Sequence, residues 1–361
     1  MFLYFLKKLD WVLIISVLLL TIIGLMSIYS TSFYQEKSYF YKQVIFIAIG
    51  FFLMLVFAFI DYRIFRNHPT LLLILYFISA FLLTIVLFLG KTRGAASWFR
   101  LGFFNIEPVE ITKLVMILIL AQYFSLRHIE LYRLKHVIIS GAYTVLVVGL
   151  VFLQPDLGSA MVLIFLWLGV MIIAGIKLRQ LLLLFLIGAI LFGVAWVGVL
   201  KPYQKDRITS FINPYLDPQG SGYHRIQSMI AIGSGQLLGR GLGHGPQSQL
   251  NFLPEQHTDF IFASIGEEWG FVGISIVFIL YFLLFFRIIK IAIRANNNFA
   301  RLFCVGSAIV FMFQVFVNIG MNVGLLPITG IPLSFVSYGG SNLLINFVII
   351  GVVQSISIRE K

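Results

Sequence analysis

The 361-residue sequence is 60% hydrophobic and 11% charged, and its formal net charge is +12. A soluble domain of this length would lack the polar surface needed to face water, so a lipid bilayer is the expected solvent. The basic residues are scattered between apolar runs, which argues against a nucleic-acid partner. The single cysteine, Cys304, excludes an intramolecular disulfide. We therefore predict one membrane domain over residues 1–361.

Apolar runs of about 20 residues, the length that a helix needs to span a bilayer, recur along the whole chain. They predict an all-α polytopic membrane protein with about ten transmembrane helices. The runs cover residues 11–30, 43–60, 70–90, 109–125, 137–154, 157–175, 180–200, 266–286, 300–324 and 335–357. The first run lacks the small-x-small motif of a signal peptide, and we expect it to remain as a helix.

The lysines and arginines predict the orientation of these helices. With the N-terminus inside, the inner segments hold fifteen of them and the short outer loops hold five. The positive-inside rule then places both termini in the cytoplasm. The long segment at about 201–258 faces outward, and loops of this length are usually functional or disordered. Within it, residues 226–238 are apolar but too few to cross, which predicts a short re-entrant or interfacial helix.

Glu110 and Lys113 lie one helical turn apart near the outer end of the fourth span, so their side chains share a face. Charged groups at membrane depth are costly, and they normally face a cavity or each other. Two interpretations follow. One is a mutual ion pair near the interface, and the other, which we favour, is a functional polar cavity.

Other cations and an aromatic residue lie close to the predicted outer surface. Trp98 is typical of an interfacial anchor. The guanidinium groups of Arg93 and Arg100 suit phosphate oxygens, although ordinary lipid head groups would satisfy them equally well. In the long loop, Lys205 and Arg207 flank an aspartate, a pattern that taken alone indicates a solvated charged surface.

The long loop ends in Glu255, His257 and Asp259, directly before an apolar segment. Asp259 fits two roles equally well by spacing alone, a helix N-cap or a general base. A cap requires neither the histidine nor the glutamate nearby, whereas a base benefits from neighbours that tune its pKa. The pattern matches no zinc site, and no serine here has an identifiable partner base.

The segment from Asn318 to Ser341, NIGMNVGLLPITGIPLSFVSYGGS, resembles the signature of the SEDS family (shape, elongation, division and sporulation) almost position for position. Shorter blocks are also similar to the family: Gly94–Trp98, Gln154–Gly158, Asn213-Pro214, Asp217-Pro218 and Leu253–Asp259. Departures occur at Ser97, Asn251 and Asn342, none of which we assign to chemistry. Short tails favour the elongation (RodA-type) branch over the division (FtsW-type) branch.

The resemblance implies an inverting peptidoglycan glycosyltransferase that polymerises lipid II at the outer face of the cytoplasmic membrane during elongation and releases undecaprenyl diphosphate. Asp259 matches the family's essential acid. Glu110, Lys113 and Arg207 match residues of its polar outward cavity. We add Arg93, Trp98, Arg100, Glu255 and His257 as candidate substrate-binding residues.

The resemblance also implies partners. These are a class B penicillin-binding protein that cross-links the strands, other elongation-complex proteins and membrane lipids. A divalent cation, Mg²⁺ or Mn²⁺, is a candidate cofactor, and no organic cofactor is expected. The alternatives are a lipid II flippase or transporter, a scaffold that recruits the transpeptidase, and a division-type paralogue. A flippase would also place Glu110 and Lys113 in a cavity, but it would not require Asp259 at the outer surface.

Overall fold

A computed structural model describes residues 7–32, 38–88, 98–101, 104–127, 134–198, 204–205, 209–211, 222–250, 252–253 and 255–360, with the main chain alone for residues 100, 101 and 104. The long helices are α1 (Trp11–Ser32), α2 (Ser38–Phe59), α4 (Pro69–Phe88), α5 (Pro108–Ser125), α6 (Leu134–Leu153), α7 (Leu157–Ala174), α8 (Leu178–Gly198), α11 (Ile261–Arg294), α12 (Asn298–Asn322) and α13 (Gly340–Arg359). The short elements are α3 (Arg63–Asn67), β1 (Phe99–Leu101), β2 (Phe104–Ile106), α9 (Tyr223–Ser234) and α10 (Pro246–Gln249).

Ten helices within these ranges are long and apolar enough to cross a membrane. This confirms the predicted polytopic all-α fold. The predicted short helix in the long loop is also present as α9, three residues earlier than its predicted start. One small element was not predicted, an antiparallel hairpin in which Phe99 of β1 pairs with Ile106 of β2. Strands of three residues are too short to leave a readable alternation in the sequence.

The interior of the bundle consists of α5, α12 and α13, whose residues are mostly buried. Around them, α2 packs on α13, α11 packs on α1 and α12, and α7 packs on α12. By contrast, Gln180 is the single buried residue of α8, which is described throughout. The central helices therefore hold the polar side chains, whereas α8 presents its apolar residues outward.

The last predicted span begins later than its apolar run suggested. The run starts at residue 335, but α13 begins at Gly340. Phe335 has φ +67°, a left-handed conformation that a helix interior excludes. The segment before α13 instead folds against α1, where a Cβ on Gly24 would lie 2.2 Å from the carbonyl oxygen of Val336. Only a glycine permits this close approach.

Helix α11 is interrupted at Gly270, which has φ +64° and ψ −159°. Residues 236–241 fill the interruption. The N–H groups of the two residues after Gly270 donate to carbonyls of this segment at 2.9 and 3.1 Å, and N–H groups of the segment donate to the carbonyls of Glu267 and Glu268, both at 3.0 Å. The hydrogen-bonding groups that a broken helix exposes are thus satisfied by the loop, which fixes it against the bundle.

Candidate active site at the loop end of the bundle

The main chain of residues 257–259 is held by the segment that carries the family-like signature. The N–H of Tyr338 donates to the carbonyl of His257 at 2.8 Å. The hydroxyl of Ser337 donates to the carbonyl of Thr258 at 2.6 Å and accepts the N–H of Leu333 at 2.8 Å. Two consecutive carbonyls of the loop are therefore fixed by two consecutive residues of the signature.

The third carbonyl, that of Asp259, accepts two side-chain amides from α12. The Nδ2 atoms of Asn318 and Asn322 both lie 3.0 Å from it. The two asparagines are four residues apart, so they share one helix face. Both are fully buried. Asp259 is consequently fixed through its backbone, while its side chain remains partly exposed.

The structure bears on one of the two roles that spacing left open for Asp259, that of a helix N-cap. The N-cap residue of α11 is Phe260, one residue later. The N–H of Ala263 in the first turn donates to Oδ1 of Asn322 at 3.2 Å. One N–H of the first turn is therefore bound from α12, and the N-cap position belongs to Phe260 and not to Asp259.

Asp259 lies beside a glycine turn of the signature segment. A Cβ built on Gly330, which has φ +75°, would lie 3.7 Å from Oδ2 of Asp259. The start of α7 packs on the same turn, because a Cβ on Gly158 would lie 2.9 Å from the carbonyl oxygen of Thr329. The blocks 154–158, 253–259 and 318–341, which are far apart in sequence, thus meet at one place.

The two other predicted residues of the loop contribute to its shape. The ring of His257 stacks on Tyr39 with centroids 4.5 Å apart, and Tyr338 meets it edge-on at 5.9 Å. Glu255 is exposed and has φ +46°, and its backbone carbonyl accepts the N–H of Thr258 at 3.1 Å. Both residues therefore lie close to Asp259 in the folded loop, and their contact with a substrate stays a prediction.

Glu110 and Lys113 form an ion pair, with Nζ of Lys113 2.8 Å from Oε1 of Glu110. Each residue is 2% exposed. The prediction that they share a face is confirmed. The mutual ion pair is the arrangement present, and the functional polar cavity that we favoured stays a prediction. The other carboxylate oxygen, Oε2, is buried with no hydrogen-bond partner among the described residues. A polar ligand reaching this position would find an acceptor in place.

Glu107, directly before α5, was not predicted as a site residue. Its pKa is raised to about 8, chiefly by burial and also by the negative charges of Glu110 and Asp156, whereas Lys113 and a hydrogen bond with Trp98 lower it. Three carboxyl groups and one lysine therefore influence one another electrostatically at this end of the bundle. The Glu107-Pro108 pair before an apolar helix was the only signal in the sequence.

Trp98 is exposed and contacts Glu107, so the structure gives the predicted anchor a polar partner. Arg93 and Arg207 lie outside the described residues. The main chain of Arg100 lies in β1, opposite Asn105. A further loop cation, Arg225, donates to the carbonyls of Phe211 at 2.5 Å and Gly324 at 2.6 Å, which makes it a structural residue.

Two buried carboxylates of α11 were also not predicted from the sequence. Glu267 accepts the N–H groups of Gln247 and Ser248 at 2.8 and 3.0 Å and the hydroxyl of Ser248 at 2.7 Å. Glu268 accepts the hydroxyl of Ser30. Because a carboxylate at the first turn of α10 complements the helix dipole, Glu267 fastens the long loop to the bundle.

The described residues include no group of three His, Cys, Asp or Glu side chains that could hold a metal ion. These side chains therefore do not fit a metal site by themselves. The divalent cation stays a prediction.

Comparison with known proteins identifies the family. Residues 10–361 match the family model for FtsW, RodA and SpoVE, described as a cell cycle protein. The chain belongs to this family, the SEDS proteins. It is 40% identical over 316 residues to the peptidoglycan glycosyltransferase MrdB of Escherichia coli, covering 87% of this chain and 84% of that protein. It is 37% identical over 359 residues to stage V sporulation protein E of Bacillus subtilis, covering 96% of each.

Solved structures of SEDS proteins have the same fold. A peptidoglycan synthase complex, described as coordinating polymerization and crosslinking, matches with a TM-score of 0.84 at 32% identity and 98% coverage of both chains. The rod shape determining protein RodA of Thermus thermophilus matches with a TM-score of 0.72 at 30% identity, covering 97% of this chain and 96% of that one. The multi-pass membrane architecture is therefore that of the family.

Proposed function

We propose that this SEDS protein is a peptidoglycan glycosyltransferase that polymerises lipid II during cell elongation. The observation that carries the proposal is the fixation of Asp259. The carbonyls of His257, Thr258 and Asp259 all accept hydrogen bonds from the family signature. A fold that only scaffolds a partner has no need for such a constrained acid. Relatives named as peptidoglycan glycosyltransferases support the same activity.

In the proposed reaction, the carboxylate of Asp259 accepts the proton of the acceptor's GlcNAc 4-hydroxyl. The hydroxyl oxygen attacks the anomeric carbon of the lipid-linked MurNAc with inversion, and the bond to the diphosphate breaks. Undecaprenyl diphosphate leaves with the bonding electron pair. General-base assistance of this kind typically contributes about 10²- to 10⁴-fold to the rate.

The negative charge that develops on the leaving diphosphate needs cations. Lys113 and Arg207 are our candidates. In the structure Lys113 is paired with Glu110 at 2.8 Å, so a bound diphosphate would compete with Glu110 for its ammonium group. Glu110 is then the group that holds the Lys113 side chain in place between turnovers.

We further propose that both termini are cytoplasmic and that the site faces outward, as the fifteen inner and five outer basic residues favour. The partner is a class B penicillin-binding protein. The similarity to a synthase complex that coordinates polymerization and crosslinking supports this pairing. Other elongation-complex proteins remain predicted partners.

The test uses the purified full-length chain in liposomes with lipid II and no other polymerase. Glycan strands are expected from the wild type and not from Asp259→Asn. A flippase would instead move lipid II between leaflets without forming glycan, and a scaffold would do neither. To separate the elongation role from the division role, the chain is depleted from its host cells. Rounded cells are expected, and filaments would indicate a division-type protein.

A further inference from the structure

We infer that Asn318 and Asn322 are positioning residues for Asp259, and that the reaction depends on their amide groups. The inference rests on the proposed function. It adds two residues that touch no reacting atom but determine where the carboxylate lies.

Asn318 joins the two main-chain stretches on either side of the Asp259 carboxylate. Its Nδ2 donates to the carbonyl of Asp259 at 3.0 Å and to that of Ile331 at 2.8 Å. Ile331 directly follows Gly330, and a Cβ built on Gly330 would lie 3.7 Å from Oδ2 of Asp259. One amide therefore donates both of its hydrogens to backbone carbonyls. These two bonds fix the main chain of Asp259 next to the glycine turn.

Asn322 joins Asp259 to the helix that follows it. Its Nδ2 donates to the carbonyls of Asp259 and Asn318 at 3.0 and 2.8 Å. Its Oδ1 accepts the N–H of Ala263 at 3.2 Å. One side chain thus fixes the acid and the first turn of α11 relative to α12, because it uses its donor and its acceptor at once.

These contacts require a primary amide. Both asparagines are fully buried, so an apolar replacement of either one would remove one of the two side-chain donors to the Asp259 carbonyl in the interior. An aspartate would be worse, because its carboxylate would face the carbonyl oxygen and bring a negative charge toward Asp259. Such a charge stabilises the protonated form of the neighbouring acid and raises its pKa.

Gln314 offers a matched control on the same helix, one turn before Asn318. It is fully buried, and its Oε1 accepts the hydroxyl of Ser334 at 2.6 Å. Gln314→Glu therefore makes the same amide-to-acid change in α12 and keeps an acceptor for Ser334. It differs from Asn318→Asp in that the altered group bonds to Ser334 and not to the loop of Asp259.

The experiment measures kcat, KM for lipid II and the pH dependence of kcat for the purified wild type, Asn318→Asp, Asn322→Asp and Gln314→Glu. Both asparagine variants should lower kcat by about 10²-fold, the effect expected of a catalytic group displaced by about 1 Å, and leave KM little changed. The acidic limb of their pH profile should move to higher pH. Gln314→Glu should retain the acidic limb of the wild type.

Thermal melting establishes that each variant is folded. If an aspartate variant does not fold, the neutral Asn318→Ser should still lower kcat.

Unchanged kcat and an unchanged acidic limb in folded Asn318→Asp and Asn322→Asp would overturn the inference. An equal shift of the acidic limb in Gln314→Glu would overturn the inference as well. The shift would then come from any negative charge in α12 and not from a displaced Asp259. A wild type that makes no glycan contradicts the proposed function instead, so the two failures are distinguishable.

Discussion

The two ends of the helix bundle handle acidic side chains in different ways. At the end away from the long loop, Asp10 is paired with Arg287, whose Nε lies 3.0 and 2.9 Å from its two oxygens. Glu360 accepts the amide of Asn297 at 3.0 Å and lies 3.8 Å from Arg63. At the loop end, Glu267 instead accepts three hydrogen bonds from neutral donors of the loop.

This difference distinguishes stabilising acids from acids available for chemistry. A carboxylate paired with arginine has its charge compensated, and its removal leaves the partner without compensation. Asp259 is instead held through its own backbone carbonyl, and the residue stays partly exposed. Away from the long loop the ion pairs therefore join different elements of the bundle. At the loop end the described pair of Glu110 and Lys113 lies within one helix, and Asp259 is fixed through backbone contacts.

The largest expected effect comes from the same substitution made at both ends. Asp259→Asn should lower polymerisation by about 10²- to 10⁴-fold and leave the melting temperature nearly unchanged. Asp10→Asn should keep most activity but cost about 1–3 kcal/mol of stability, the usual loss for a hydrogen bond to a charged group. Lipid II turnover and thermal melting of both variants make the comparison. The opposite pattern would remove the distinction between the two ends.

The next effect concerns Lys113. Lys113→Met should lower kcat by about 10²- to 10³-fold, as for other lost groups that stabilise transition-state charge, and it should lower the melting temperature because Glu110 is left buried without its cation. Adding Glu110→Gln should restore the melting temperature but not the activity. If the double variant polymerises lipid II normally, the pair is structural, like the ion pairs at the other end.

The smallest effect concerns Glu107, whose pKa of about 8 lies above that of an unfolded glutamate. Between pH 4.5 and pH 8 the native state holds a proton that the unfolded state has lost, so this group lowers stability as the pH rises. The melting temperature of the wild type should therefore fall more between pH 5 and pH 8 than that of Glu107→Gln. Equal falls would show that Glu107 is ionised in the native protein.

Much of the fold was predictable because each span is a continuous apolar run. The exceptions have local causes. Phe335 adopts a left-handed conformation inside an apolar run, and Gly270 interrupts a helix without interrupting hydrophobicity. The residues around both positions have the composition of an ordinary membrane helix, so the sequence does not reveal either conformation.

The candidate site was predictable where its residues are charged and close in sequence. Glu110 and Lys113 pair across one helical turn, so spacing alone placed them together. The bonds of Asn318 and Ser337 to the Asp259 loop cross 59 and 79 residues of sequence. Because they join neutral side chains to backbone carbonyls, no residue pattern indicates them.

The central claim is that the carboxylate of Asp259 acts as the base, and chemical rescue tests it most directly. The rate of lipid II polymerisation is measured for purified Asp259→Ala with and without added formate, alongside the wild type. Without formate the rate should fall by about 10²- to 10⁴-fold, and formate should restore part of it by supplying a carboxylate in the vacated space. A wild-type rate in Asp259→Ala without formate would contradict the account.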